Sequence, residues 1–302
     1  MVEFLATQFS EADKPKVELL DKNYIDMLLQ NYTLSVTHLN NFLDCPLKFY
    51  FQCLIRVPQG KSPAATFGQA VHWALNRAFR KLKENNDRFM PTEDFMREFR
   101  WYMFRNRDSF TKSDFKLRVD YGEKILPAYY EQNIPVWNKI AVTERTIRNI
   151  EIEGVPIKGN LDKIEFDGKQ VTVVDYKTGK LKNAKAKLLP PTNDNPNGGD
   201  YWRQAVFYKI LVDNDRTNDW QVINTLFEFV EPIKEGEYHK EKITISPADV
   251  ATVTEQITGV YQKILAHDFN TGCGKKECDW CHFVKSNFRQ IGDVMQLEEE
   301  DI

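Results

Sequence analysis

Apolar residues return every third or fourth position between residues 65 and 85, where Phe67, Val71, Ala74, Leu75, Ala78 and Phe79 share one helical face. That period predicts an amphipathic helix packed on a core, and His72 lies beside its stripe. Upstream, "NYIDMLLQNY" (23–32) predicts a short amphipathic helix, and "LSVTHLNNFLDCPLKFYF" predicts a second. Ser35 or Thr37 can cap that second helix, and Pro46, just after Cys45, interrupts it. Residues 91–133 read as further helices rich in Phe and Tyr. The period then changes from near four to two: "IAVTERTIRNIEIEGVPIKGNLDKIEFDGKQVTVVDYKTG" alternates apolar and polar residues around Gly-containing turns, which predicts an antiparallel meander. From Lys180 to Asp200 the pattern lapses, and Pro190, Pro191, Pro196, Gly198 and Gly199 predict a long loop, mobile in the absence of a partner. Helical spacing resumes in "YWRQAVFYKILVDN", two strands follow in "WQVINTLFEFVEP" and "KEKITIS", and "PADVATVTEQITGVYQKILAHDF" predicts a long closing helix.

These elements divide the chain into an N-terminal appendage or linker (1–33), one α/β domain (34–290) with a helical insertion at 88–135, and an acidic, solvated tail, "LEEEDI", within 291–302. Composition narrows the classes. With 302 residues, 42% hydrophobic and 28% charged, the chain can bury a sizeable core. No apolar run approaches the ~18 residues of a membrane span, and the N-terminus lacks the order of a signal peptide, so a cytoplasmic location is expected. A net charge of −3 excludes a surface coated in basic residues and confines any nucleic-acid site to a local groove.

The chemistry concentrates in "GNLDKIEFDGKQVTVVDYKTGK" (159–180), which sets Asp162 and Asp175 on paired strands and Lys177 two residues after the second acid. Carboxylates converging at a sheet edge suit a hard divalent cation such as Mg²⁺ or Mn²⁺. A lysine at i+2 points to the same face and can act on a phosphate or a nucleophile. The bland alternative is an ordinary Asp–Lys pair before a turn, and "SDFK" repeats the D-x-K spacing at Asp114 and Lys116.

Taken in order, "FGQAVH", "GNLDKIE", "VVDYKTG" and "YWRQAVFY" resemble the motifs of the PD-(D/E)XK nuclease superfamily, and most of all its RecB-like, AddB-like branch, found at the C-terminus of superfamily I DNA helicases. The resemblance implies a restriction-endonuclease-like core with a central mixed sheet flanked by helices. It implies metal ligands at His72, Asp162, Asp175 and the backbone carbonyl of Tyr176, a catalytic lysine at Lys177, and a Gln-x-x-x-Tyr helix carrying Gln204 and Tyr208 near the scissile phosphate. Glu144 matches an upstream acid less securely and reads as a solvated or salt-bridged strand residue, outside the catalytic set. Lys180, Lys182, Lys185 and Lys187 extend positive charge from Lys177 and are candidate phosphate contacts. The expected function is a metal-dependent DNA exonuclease acting in DNA repair with a superfamily I helicase, fused or bound. The alternative is a DNA-binding or scaffold module of such a complex that does not cut.

"CGKKECDWC" crowds Cys273, Cys278 and Cys281 into nine residues, with Cys45 far upstream. Some RecB-like nucleases, including AddB-like ones, clasp their ends with a [4Fe-4S] cluster held by one N-terminal cysteine and a C-x₂-C-x₅-C run, but here the last of those positions falls on Asn287. Cys273 would have to substitute, giving C-x₄-C-x₂-C, a spacing that plant-type ferredoxins use. Zinc is a second reading, with His282 or His267 as an alternative fourth ligand, and buried, reduced thiols are a third. Cys53, among aromatic residues, reads as core.

Overall fold

The structure is a computed structural model that describes residues 14–60 and 62–287; the tail at 291–302 and the first part of the N-terminal appendage lie outside the described residues. In chain order, α1 (Lys22–Leu29), α2 (Val36–Asp44) and α3 (Pro46–Phe49) lead into a π-helical turn at Tyr50–Leu54. The long helices α4 (Pro63–Glu84), α5 (Thr92–Arg105) and α6 (Lys112–Asn133) precede strands β1 (Ala141–Ile152), β2 (Val155–Asp167) and β3 (Gln170–Lys177). A short α7 (Leu181–Ala184) continues as a 3₁₀ turn at Lys185–Leu188, and α8 (Asp200–Asp213), β4 (Gln221–Phe229), β5 (Lys240–Ile243) and α9 (Pro247–Leu265) follow. Among the described residues no helix is long and apolar enough to cross a membrane.

The chain forms two compact units, one of residues up to Pro58, Ile152–Pro156 and Thr254 onward, the other of Gln59–Glu151 and Ile157–Val253. In the first, the Ser35 side chain caps α2 by accepting from the His38 amide, and the chain turns extended at Cys45 before Pro46 opens α3. Pro46 has no N–H to offer α2 and suits a first helical turn, so one residue ends a helix and starts the next. Phe49 packs edge-on against Phe42 and Phe269, with centroids 5.6 and 5.8 Å away.

The second unit carries the sheet. Its strands lie in the order β1-β2-β3-β4-β5, with β2 and β3 antiparallel, β3 and β4 parallel, and β4 and β5 antiparallel. This is a mixed sheet flanked by helices, the α/β class that the sequence predicts. A turn through Gly168, at φ 62°, joins β2 to β3 where a side chain would be strained. The parallel β3–β4 pair requires a crossover, which α8 supplies and in which Trp202, Val206, Phe207, Ile210 and Leu211 are buried. On the helical side, Phe67, Val71, Leu75, Ala78 and Phe79 of α4 meet Phe95 and Phe99 of α5, Tyr129 and Tyr130 of α6, and Val174 and Tyr176 of β3 in one core. α5 and α6 approach closely at Gly122, where a Cβ would lie 2.3 Å from the Phe99 ring.

Within this unit the segment after β3 is the expected irregular loop only over residues 189–199. Its first part is helical, and its later part is tied to α8. The Arg203 guanidinium, 2% exposed, donates to the carbonyls of Asn197 at 2.7 Å and Gly198 at 3.0 Å, and the Gly199 amide donates to Leu189 at 2.9 Å. A buried guanidinium needs such acceptors, and here the loop backbone provides them.

Candidate active site

The β2–β3 register pairs Lys163 with Val174, so one step further along the ladder Asp162 and Asp175 occupy neighbouring positions. Two polar groups meet at this end of the sheet. In the first, His72 Nδ1 lies 3.3 Å from Asp162 Oδ1, while His72 Nε2 is 3.0 Å from the Tyr176 carbonyl. Asp162 Oδ2 accepts from the Tyr176 amide at 2.9 Å. With Glu144 added, each of these three side chains offers a ligand atom within 4.8 Å of the others. Burial disfavours charge on the imidazole, but the hydrogen bond it donates to Asp162 and the charges of Asp162 and Asp175 outweigh it and bring His72 up to about 9.

In the second group, Asp175 is buried between β3 and α8. Its Oδ1 accepts from Gln204 Nε2 at 2.9 Å and from the Tyr208 hydroxyl at 3.2 Å, and its Oδ2 lies 2.7 Å from Lys177 Nζ. Gln204 Oε1 accepts from Lys177 at 2.8 Å, and Gln204 Nε2 also reaches the Tyr208 oxygen at 2.6 Å. Residues four apart on a helix share one face, which is how Gln204 and Tyr208 address one carboxylate together. The Lys177 ammonium also rests 4.1 Å from the Tyr201 ring centroid and 5.0 Å from that of Phe227, a favourable site for a cation. Burial pushes the Asp175 carboxyl up, partly opposed by Lys177, and burial likewise raises the Tyr208 hydroxyl well above its ordinary range.

The sequence-predicted residues thus divide. His72, Asp162 and the Tyr176 carbonyl stand together, whereas Asp175, Lys177, Gln204 and Tyr208 form the adjoining network. Glu144, set aside in the sequence reading as a strand residue, faces His72 and Asp162. Its carboxyl, though exposed at the surface, is displaced upward by partial desolvation and by the charge of Asp162. Its backbone is left-handed, at φ 51°, a conformation uncommon for a residue other than Gly, and the alternating charges of "TERTIRN" give no hint of it. An open cleft of about 630 Å³ lies against this group, lined by Gly68, Gln69, His72, Trp73, Tyr102 and Glu144. Of the four lysines, Lys187 reaches the Tyr201 ring, 5.4 Å from its centroid. Lys180, Lys182 and Lys185 line another cavity with Glu231, which lies 3.4 Å from Lys180 Nζ.

The donor set has the chemistry of a hard-cation site: two carboxylates and an imidazole offer ligand atoms within 4.8 Å of one another, and a backbone carbonyl adjoins them. A buried carboxylate, Asp175, flanks that centre with an Oδ2 that has no aligned hydrogen bond.

In the first unit, Cys45, Cys273, Cys278 and Cys281 bring four sulfurs within 4.8 Å of one another. The two histidines considered as ligands lie elsewhere. His267 pairs with Asp26 at 2.9 Å, and His282 Nε2 contacts the Lys276 carbonyl. Cys53 is buried apart from the cluster and accepts from Asn41 Nδ2 at 3.2 Å.

A sequence profile of the PD-(D/E)XK nuclease superfamily matches residues 33–286. No curated protein matches the chain. Among solved structures, that of a candidate exonuclease from Eubacterium rectale is similar, with a TM-score of 0.50 and 12% identity, over 88% of this chain and 93% of that one. A structure named SSO0001 aligns with a TM-score of 0.31 and 14% identity, over 80% of this chain and 87% of that one.

Proposed function

Because the chain belongs to the PD-(D/E)XK nuclease superfamily, we propose that it is a divalent-metal-dependent deoxyribonuclease that hydrolyses phosphodiester bonds from DNA ends. The observation that carries this reading is the continuity of Asp175, Tyr176 and Lys177. Three consecutive residues of β3 join the carboxylate–imidazole group to the lysine network.

His72, Glu144, Asp162, Asp175 and the Tyr176 carbonyl would hold Mg²⁺ or Mn²⁺, which supplies Lewis acidity toward phosphate oxygen and water at neutral pH. The remaining work falls to side chains of this chain. Water adds to phosphorus, the P–O3′ bond breaks, and the 3′ oxygen leaves with a proton as the hydroxyl. Lys177 has three N–H donors; Gln204 accepts one, the Asp175 carboxylate holds the ammonium by charge at 2.7 Å, and the remaining donors are available to the phosphate. Gln204 is positioned in turn by Tyr208, so the lysine is oriented before substrate arrives. Lys187 beside Tyr201 adds positive charge for the DNA backbone, and Lys180, Lys182 and Lys185 extend it. The motif resemblance to RecB-like and AddB-like nucleases supports a role in cytoplasmic DNA repair with a superfamily I helicase, fused or bound.

DNA labelled at the 5′ or the 3′ end, incubated with Mg²⁺, Mn²⁺ or EDTA, tests this reading. Release of short labelled products with either cation and none with EDTA is expected, and the end released first gives the polarity. Intact DNA bound tightly under every condition would instead favour a scaffold that does not cut.

A further inference from the structure

The four cysteines of the first unit do not fit the cluster that the motif resemblance implies. In a [4Fe-4S] cluster each thiolate binds a different corner iron, so the four sulfurs stand outside the cube, about 6 Å apart. Here Cys45 Sγ is 3.8 Å from Cys281 Sγ, Cys273 Sγ is 3.7 Å from Cys281 Sγ, and all four sulfurs fall within 4.8 Å. A tetrahedron of thiolates around one zinc, with Zn–S near 2.3 Å, has an edge of about 3.8 Å. We infer that Cys45, Cys273, Cys278 and Cys281 bind a single zinc ion.

The surroundings suit a tetrathiolate. Four thiolates around Zn²⁺ carry two net negative charges, which must be met by hydrogen-bond donors. The Cys273 amide donates to Cys45 Sγ at 3.4 Å, and a second amide, of Lys48, reaches the same sulfur. The backbone amides of Lys275, Cys281 and Gly274 lie near the sulfurs of Cys273, Cys278 and Cys281 and favour their thiolate forms. Gly274 adopts φ 76°, which only glycine takes readily. At Gly272 a Cβ would lie 2.6 Å from Cys281 Sγ, so the absence of a side chain there lets that sulfur approach the backbone. Lys48 and Lys275 lie beside the cluster, each bonded to Asp44, at 2.8 and 2.9 Å. Cys278 opens onto a cleft of about 500 Å³ lined by Asp44, Lys48 and Lys275, a path by which an ion can enter.

The ligands come from opposite ends of the chain, since Cys45 and Cys273 are separated by 228 positions. Zinc has no redox chemistry and this site has no open position, so it is a structural clasp. It holds the α2–α3 corner to the segment after α9 and is independent of the proposed nuclease activity. Sulfur ligands also separate it from the oxygen-rich group around Asp162, because soft thiolates select zinc where carboxylates select magnesium or manganese.

The test is elemental analysis of the full chain purified anaerobically without added metal, with acid-labile sulfide measured on the same sample. About one zinc per chain, with no iron and no sulfide, is expected after dialysis against EDTA. The D162A/D175A variant should keep that zinc, which separates this site from the proposed nuclease centre. Cobalt-exchanged protein should show the intense visible bands of a tetrahedral thiolate site. C45A should lose the zinc and those bands, whereas C53A should keep both. Iron with sulfide and absorbance near ~400 nm would overturn the inference in favour of the cluster. Protein without metal, or zinc that survives in C45A but leaves with D162A/D175A, would overturn it as well.

Discussion

Lys177 is where the proposed chemistry is most exposed to a single substitution. Its ammonium is fixed by Gln204 at 2.8 Å and Asp175 at 2.7 Å, a geometry that suits charge developing on phosphate better than ground-state binding. K177M should therefore lower turnover by ~10²-fold or more while leaving DNA affinity nearly unchanged; an unaltered single-turnover rate would remove the lysine from the mechanism. Glu144 makes a different prediction. As part of a donor set with His72 and Asp162, E144Q should raise the Mg²⁺ concentration for half-maximal cleavage by about tenfold or more. An unchanged Mg²⁺ dependence would return Glu144 to the role of a surface strand residue. Asp162, Asp175 and Lys177 were visible in the sequence because strand alternation fixes which side chains share a face. Glu144 was noted as a less secure match and set aside, since its placement beside His72 and Asp162 goes with a left-handed backbone that its neighbours do not announce.

At the scale of elements, periodicity carried much of the architecture. The stripe of α4 and the alternation of β1 to β3 read directly from apolar spacing, and Ser35 and Pro46 mark helix boundaries by their hydrogen-bonding limits. The parallel pairing of β3 with β4 was beyond such reading, because it depends on a crossover through α8 and on contacts distant in sequence. In the segment 180–200 the irregular stretch at 189–199 was legible but its anchoring was not, for a related reason. Its Pro, Gly and Asn content signals irregular backbone, but the order comes from Arg203, which sits within an otherwise apolar helical pattern and turns inward to the loop carbonyls. R203M would leave those carbonyls without their donor. Limited proteolysis between residues 189 and 199 should then be markedly faster than in the parent; an identical digestion pattern would show that the loop is held by other contacts.

For the whole molecule, two units carry two kinds of donor set. One gathers sulfur from both ends of the chain and has the dimensions of a structural ion site. The other gathers carboxylates, an imidazole, a carbonyl and a lysine at one end of a mixed sheet, the combination on which the proposed phosphodiester hydrolysis rests. Composition alone made neither visible: a net charge of −3 gives no sign of a nucleic-acid enzyme, and five cysteines give no metal without their spacing. The central claim is that the carboxylates at this end of the sheet are needed to cut DNA. It is tested most directly by measuring single-turnover cleavage and DNA binding in parallel for the parent and the D162A/D175A variant. The account predicts that the variant binds DNA and leaves it intact in Mg²⁺ and Mn²⁺, while cleavage by the variant at the parental rate would contradict it.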